Sequence, residues 1–199
     1  PAAAPETFAP AVSAVRADAL HRQANAAFRE GRFDDAVAGY EAALRSRPDF
    51  PEALYNRGNA LFSLRQLDAA VASYDASLRQ RPDDARTLNN RGNALRDLDR
   101  LAEALDSYDR ALAIESDYAE AFSNRGTVLQ ALRRLPEALA SYDRALELAP
   151  DHLQALANRA SVLADLRRPL EAIAGYERAI AVRPDFAEAH VDAAMCRLL

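Results

Sequence analysis

Apolar residues recur along this chain at steps of three and four, interrupted by short polar stretches. In the stretch that begins at Pro51, Leu54, Gly58 and Leu61 form one stripe. Ala70, Tyr74, Ser77 and Leu78 form a second, with Gln66 and Leu67 near the turn between them. Steps of three and four bring side chains to one face of a helix. The stretch therefore predicts a helical hairpin in which Gly58 lets the partner backbone come close. No window sustains an alternation of period two, so no strand is expected.

The hairpin pattern returns every 34 residues. Tyr40, Tyr74, Tyr108, Tyr142 and Tyr176 keep that spacing, as do Ala36, Ala70, Ala104, Ala138 and Ala172, and Asp49, Asp83, Asp117, Asp151 and Asp185. Pro48, Pro82, Pro150 and Pro184 keep it too, with Ser116 in the remaining slot. Proline disfavours helix in the residue before it, and aspartate can cap or charge-complement the helix that follows. Each Pro-Asp pair is thus expected to stop one hairpin and begin the next. Paired helices are expected at 17–30 and 33–46, 51–64 and 67–80, 85–98 and 101–114, 119–132 and 135–148, and 153–166 and 169–182, with a lone helix from 187. Pro136 and Pro169 open second helices, where a missing N–H costs little. Residues 1–16 read as an Ala/Pro-rich tail, partly disordered over 1–10, with 12–16 able to extend the first helix.

Composition narrows the chemistry. Half of the 199 residues are hydrophobic and 28% are charged, as in a folded chain. Alanine fills 46 positions, which suits helices packed through small side chains. All 25 basic residues are arginine, so Schiff-base lysines, phosphate-loop lysines and lysine bases are excluded within this chain. The net charge of −5 argues against a nucleic-acid or anionic-membrane surface. His21, His152 and His190 form no i,i+4 pair, and Cys196 stands alone beside Met195 and Leu198, where a packed thiol is expected. Gly58, Gly92 and Gly126 sit inside helices rather than in a phosphate loop. The carboxylates recur with the period, unlike a catalytic pair. No enzyme activity, metal or cofactor is expected of these residues.

These residues resemble the tetratricopeptide-repeat (TPR) family. In the repeat that begins at Ala119, its eight signature positions read Phe122, Arg125, Gly126, Leu129, Ala138, Tyr142, Ala145 and Pro150. The resemblance implies an all-α, right-handed superhelical solenoid with a concave inner face. Five full repeats span 17–50, 51–84, 85–118, 119–152 and 153–186, and a partial one spans 187–199. Arg57, Arg91, Arg125 and Arg159 depart from the family, which usually has leucine there. They are expected to lay their stems along the packing seam and pair with Glu41, Asp75, Asp109, Asp143 or Glu177, the acids that follow each tyrosine.

Two polar columns carry the functional expectation. Asn56, Asn90, Asn124 and Asn158 recur at the sixth repeat position; Asn25, Asn59 and Asn93 recur at the ninth, followed by Thr127 and Ser161. Positions three apart share a helix face, which by family resemblance lines the concave groove. An amide both donates and accepts, so such a column can grip an extended peptide backbone. The words around 55–61 and 89–95 resemble the asparagine-ladder superhelix of O-linked N-acetylglucosamine transferases and their bacterial relatives. Phe28, Tyr55 and Phe62 offer a pocket for a peptide side chain, or simple core packing. A solvated face copied by duplication is the plain alternative for the ladder. The carboxylate clamp of chaperone-binding TPR domains maps onto His21, Asn25, Asn56, Arg86 and Asn90, where His21 and Asn90 replace two required cations.

The resulting expectation is a protein-interaction scaffold binding an extended segment of a partner protein or peptide, with no nucleic acid and no direct membrane insertion. Alternatives are the substrate-recruiting arm of a longer glycosyltransferase-like enzyme and a self-assembly module. A weak contact through Met195, Leu198 and Leu199 would serve the last of these. The opening Pro1 and the apolar ending point to a longer natural chain, and a cytoplasmic setting is favoured. The acidic balance favours basic or neutral partners, Arg86 excepted. The ladder amides are expected to have no buried partner, so that replacing them by alanine would leave stability almost unchanged.

Overall fold

The computed structural model describes residues 8–197. Among them stand eleven α-helices and no strand: α1 (Phe8–Arg29), α2 (Phe33–Ser46), α3 (Pro51–Ser63), α4 (Leu67–Gln80), α5 (Ala85–Asp97), α6 (Leu101–Ile114), α7 (Ala119–Ala131), α8 (Leu135–Leu148), α9 (Leu153–Asp165), α10 (Pro169–Val182) and α11 (Ala187–Cys196). The chain forms two compact units, one ending at Asp99 with α1–α5 and one beginning at Arg100 with α6–α11. Within each unit every helix packs against its sequence neighbours, and alternate helices touch (α1 with α3, α3 with α5, α7 with α9, α9 with α11).

The second helix of each hairpin has the bounds that the periodicity predicts. The first helices end one residue sooner, because the turn is left-handed. Arg65, Asp99, Arg133 and Arg167 all have φ near 60°, and Gly31 holds the same slot at 75°. A left-handed residue stops the helix and sends the next N–H back five residues. Gln66 N donates to Leu61 O, Arg134 N to Leu129 O and Arg168 N to Leu163 O, each at 2.9 Å.

Two boundary expectations need correction. Residues 12–16 extend the first helix as expected, but 8–11, read as tail, also belong to α1, because this Ala-rich stretch favours helix and Pro10 falls in the first turn, where it is tolerated; residues 1–7 lie outside the described residues. The periodic aspartates are also not the caps, since each stands one residue too early. The cap positions fall to Phe50, Asp84, Tyr118, His152 and Phe186. Of these, Asp84 accepts from the N–H groups of Arg86 and Thr87, and His152 from that of Ala155.

The core is built from the periodic columns. Tyr40, Tyr74, Tyr108, Tyr142 and Tyr176 are buried, beside the buried alanines Ala36, Ala70, Ala104, Ala138 and Ala172. Gly58 makes room for a ring rather than for backbone: a Cβ there would lie 2.5 Å from Tyr74 Cε1, and at Gly126 2.7 Å from Tyr142 Cε1. In the first and fifth repeats the same slot holds Ala24 and Ala160, and the glycine has moved to the facing helix. A Cβ on Gly39 would lie 2.8 Å from Ala24 Cβ, and one on Gly175 2.9 Å from Ala160 Cβ. These four hairpins thus keep a glycine at the close approach of their helices, on one side or the other.

The arginine column ties one repeat to the one before it. Arg91 Nε donates to Asp75 Oδ1 at 2.6 Å, Arg125 to Asp109 at 2.6 Å and Arg159 to Asp143 at 2.5 Å. Arg57 differs: its Nε donates to Ser73 Oγ at 3.0 Å within its own hairpin, rather than to Glu41. Arg125 makes both bonds, adding Ser141 Oγ at 2.7 Å.

Candidate functional site

In the first unit, helices α1, α3 and α5 present the amide columns on the faces that the three-residue spacing predicts. The amides are not idle there. Tyr40 Oη donates to Asn25 Oδ1 at 2.7 Å, and Asn56 Nδ2 donates to the same oxygen at 3.1 Å. One repeat on, Tyr74 Oη donates to Asn59 Oδ1 at 2.8 Å and Asn90 Nδ2 to that oxygen at 3.0 Å. The second unit repeats the motif with a hydroxyl as hub. Tyr142 Oη donates to Thr127 Oγ1 at 3.2 Å, and Asn158 Nδ2 donates to the same oxygen at 3.3 Å. Asn93 and Asn124 likewise have interaction partners. Burial pushes the pKa of the Tyr40 hydroxyl up to about 12, and moves those of Tyr74 and Tyr142 upward as well, so all three remain neutral donors.

The sixth-position amides are therefore not without partners: Asn56, Asn90 and Asn158 bond to half-buried side chains, and through the ninth-position oxygens they share a hub with the buried tyrosines. The tyrosine column, read from the sequence as core alone, also carries a hydroxyl, and its nearest acceptor is the ninth-position side chain. A buried phenol requires a partner, and that requirement was the signal in the sequence that pointed to the bond.

What the network leaves over is informative. Asn56 spends both N–H bonds, one on Asn25 and one on His21 Nε2 at 2.9 Å, and its Oδ1 has no protein donor among the described residues. Asn25 and Asn59 spend only their oxygens. Two amide NH₂ groups and one carbonyl acceptor thus remain among three half-buried side chains that line one cavity of about 270 Å³ with Phe28, Arg29 and Tyr40. A second cavity of about 180 Å³ shares Phe28 and Asn59 and adds Phe62, Ser63, Tyr74, Asn90 and Asn93.

Most of the proposed contacts therefore converge: Asn25, Asn56, Asn59, Asn90, Asn93, Phe28 and Phe62 surround two adjoining hollows. Tyr55 lines neither. Its ring faces Tyr74 at 6.2 Å, its hydroxyl accepts from Asn90 Nδ2 at 3.1 Å, and the exposed Arg86 guanidinium lies 5.8 Å from its centroid. Asn124 and Asn158 belong to the second unit, where the corresponding twelfth positions are Gln130 and Ala164 rather than aromatics. Arg29, which lines the first cavity, is a residue that the sequence reading passed over.

His21 does not act as the missing cation of a carboxylate clamp. Its ring stands 4.7 Å from Phe50 and 5.7 Å from Tyr40, and its Nε2 accepts the Asn56 N–H. Burial pushes its pKa below 6.5, against the pull of Glu52 and Asp18 and with help from Arg47 and Arg22. His190 holds Pro184 O at 2.9 Å and Cys196 is buried, both as structural side chains. No helix among the described residues is long and apolar enough to cross a membrane.

Comparison with known proteins agrees with this architecture. Family models described as tetratricopeptide repeat match residues 21–85 and 117–185, and one described as TPR repeat matches 92–132. The chain is a TPR-repeat protein of the general interaction-scaffold kind. Among solved structures it is similar to YrrB, described as a TPR protein with an unusual peptide-binding site, at 25% identity and a TM-score of 0.75, covering 98% of this chain and 100% of that one. It is also similar to TTC0263, a thermophilic TPR protein of Thermus thermophilus, at 25% identity and 0.70, covering 92% and 100%. MamA of Desulfovibrio magneticus RS-1 shares the fold at 19% identity and 0.79, covering 86% and 97%. A search of curated proteins returns no match.

Proposed function

We propose that this chain holds an extended segment of a partner protein against the amide faces of α1, α3 and α5. The observation that carries the reading is the set of unspent groups at the first cavity: donors on Asn25 and Asn59 and an acceptor on Asn56. An extended backbone offers the complementary alternation of C=O and N–H. The likeness to the asparagine ladder of O-linked N-acetylglucosamine transferases bears on this mode of holding, by backbone rather than by side chain. The peptide-binding site in the description of YrrB supports the same reading. Neutral hydrogen bonds of about 0.5–1.5 kcal/mol each, set against the ordering of a flexible segment, suggest micromolar affinity.

A displayed library of random linear peptides tests the proposal. Enriched peptides should bind the wild-type chain and lose at least tenfold in affinity to Phe62→Ser and to Ser63→Trp, which would fill the second cavity from its exposed rim. No enrichment, or binding indifferent to both variants, overturns the reading.

A second reading, weak self-association, is favoured by α11. Val191 and Met195, one helical turn apart, are both 61% exposed, while Leu198 and Leu199 lie outside the described residues. Sedimentation of the wild-type chain should show association that rises with concentration and disappears in V191E/M195E. A monomer at all concentrations refutes it.

A further inference from the structure

The charge around the two cavities runs against that of the chain. Net charge is −5, yet among the described residues no carboxylate lines either cavity, and the one charged side chain that does is Arg29. Arg29 is exposed and makes no ion pair with a described residue. Arg86, exposed at the start of α5 over the Tyr55 ring, makes none either. The acids on α1, α3 and α5 are each paired: Asp18 with Arg47 at 2.8 Å, Glu52 with Arg81 at 2.5 Å, and Asp97 with Arg65 at 2.6 Å and Arg96 at 3.0 Å. Glu30, beside Arg29, pairs with Arg32 at 2.8 Å, and Asp84 accepts from the backbone N–H groups of Arg86 and Thr87. The first unit therefore offers two guanidinium groups without an ion pair: Arg29 in the first cavity, and Arg86 over the ring of Tyr55, whose hydroxyl holds Asn90 of the second; Phe28 lines both cavities and Phe62 the second.

We infer that the segment held by the first unit is an internal acidic–apolar stretch. One large apolar side chain enters the Phe28–Phe62 hollow, and Asp or Glu residues on the same segment reach Arg29 and Arg86. The inference rests on the peptide-holding reading above and adds the chemistry of the partner. Guanidinium–carboxylate pairs are forked and charge-assisted, whereas a basic segment would meet two like charges where no carboxylate among the described residues lines either cavity. Net charge sets long-range steering, but the unpaired groups at the contact set the preference at close range. The inference departs from the expectation of basic or neutral partners drawn from the sum of charges, and extends to Arg29 the exception already made for Arg86. No free C-terminus is needed, because the amides can be met by any stretch of backbone.

The test is an array of synthetic nonapeptides, acetylated and amidated at their ends, with one central Leu or Phe flanked by Asp, by Ser or by Arg. An uncapped copy of each is included. Capped Asp-flanked peptides should bind the full chain at least fivefold more tightly than Ser-flanked ones, and Arg-flanked peptides least. That preference should shrink as salt is raised and vanish in R29E/R86E, whose two positions are exposed. Binding that is equal across the three classes, or strongest for Arg, refutes the acidic partner while leaving peptide holding intact. Binding of uncapped peptides alone refutes an internal segment. Absence of binding in every class refutes peptide holding itself.

Discussion

Arg167 stands at φ 60°, exposed and with no ion pair to a described residue, in a slot that the first repeat gives to Gly31. A side chain in the left-handed region costs on the order of 1 kcal/mol relative to glycine. Arg167→Gly should therefore raise the melting temperature by roughly 2–4 °C in a chain of this size, measured by calorimetry. Arg65→Gly should gain less, since it also gives up the 2.6 Å bridge to Asp97. At the same scale, His21 makes stability depend on pH. Its folded pKa lies below the 6.5 of a free histidine, so the unfolded chain binds the proton more readily. The contribution is complete above 6.5 and is lost as pH falls through the folded value. Protonation also removes the acceptor for Asn56. Wild type should lose more stability between about pH 7.5 and about pH 5 than His21→Gln does; parallel losses in urea titrations would dismiss this role.

Between helices, the hub oxygens decide more than the rungs. Asn59 Oδ1 receives both the buried Tyr74 hydroxyl and Asn90. Asn59→Ala should destabilise by about 1–3 kcal/mol, the usual cost of stranding buried donors. Asn59→Thr should recover part of that loss, because Thr127 performs the same task in the second unit. Denaturant midpoints of the two variants decide it. Joint replacement of Asn56, Asn90, Asn124 and Asn158 by alanine should likewise lower stability. The glycine exchange gives a second test. Gly58→Ala should cost about 1–3 kcal/mol through the Tyr74 contact, and adding Ser73→Gly, which imitates the Ala24–Gly39 pair, should return most of it. Helix identity, and the bounds of the second helix of each hairpin, were legible in the sequence because period, proline and glycine act locally. The Ala24–Gly39 compensation was hidden, since it joins positions fifteen residues apart across two helices, and so was the tyrosine bond.

Across the molecule, the repeat class was legible from four columns keeping one period, while the character of the groove was not. Composition sums charges; recognition depends on which of them remain unpaired, and that needs coordinates. Hence Arg29, an ordinary last-turn arginine on paper, became a groove residue, and Tyr55 moved out of the pocket assigned to it. The repeat architecture also governs how such a chain can change its length. The ties between consecutive repeats join fixed offsets, as in Arg91 to Asp75 and Asn90 to Asn59, whereas the close approach at each of Gly39, Gly58, Gly126 and Gly175 lies inside one hairpin. A duplicated or excised 34-residue block that carries the Arg91, Arg125 or Arg159 pattern therefore brings its own fitted helix pair and presents its new neighbour with a carboxylate for the incoming arginine and an oxygen for the incoming amide. Growth or shortening by whole blocks within a unit requires no compensating substitution at the junction, so a gene of this kind can alter its reach by recombination alone.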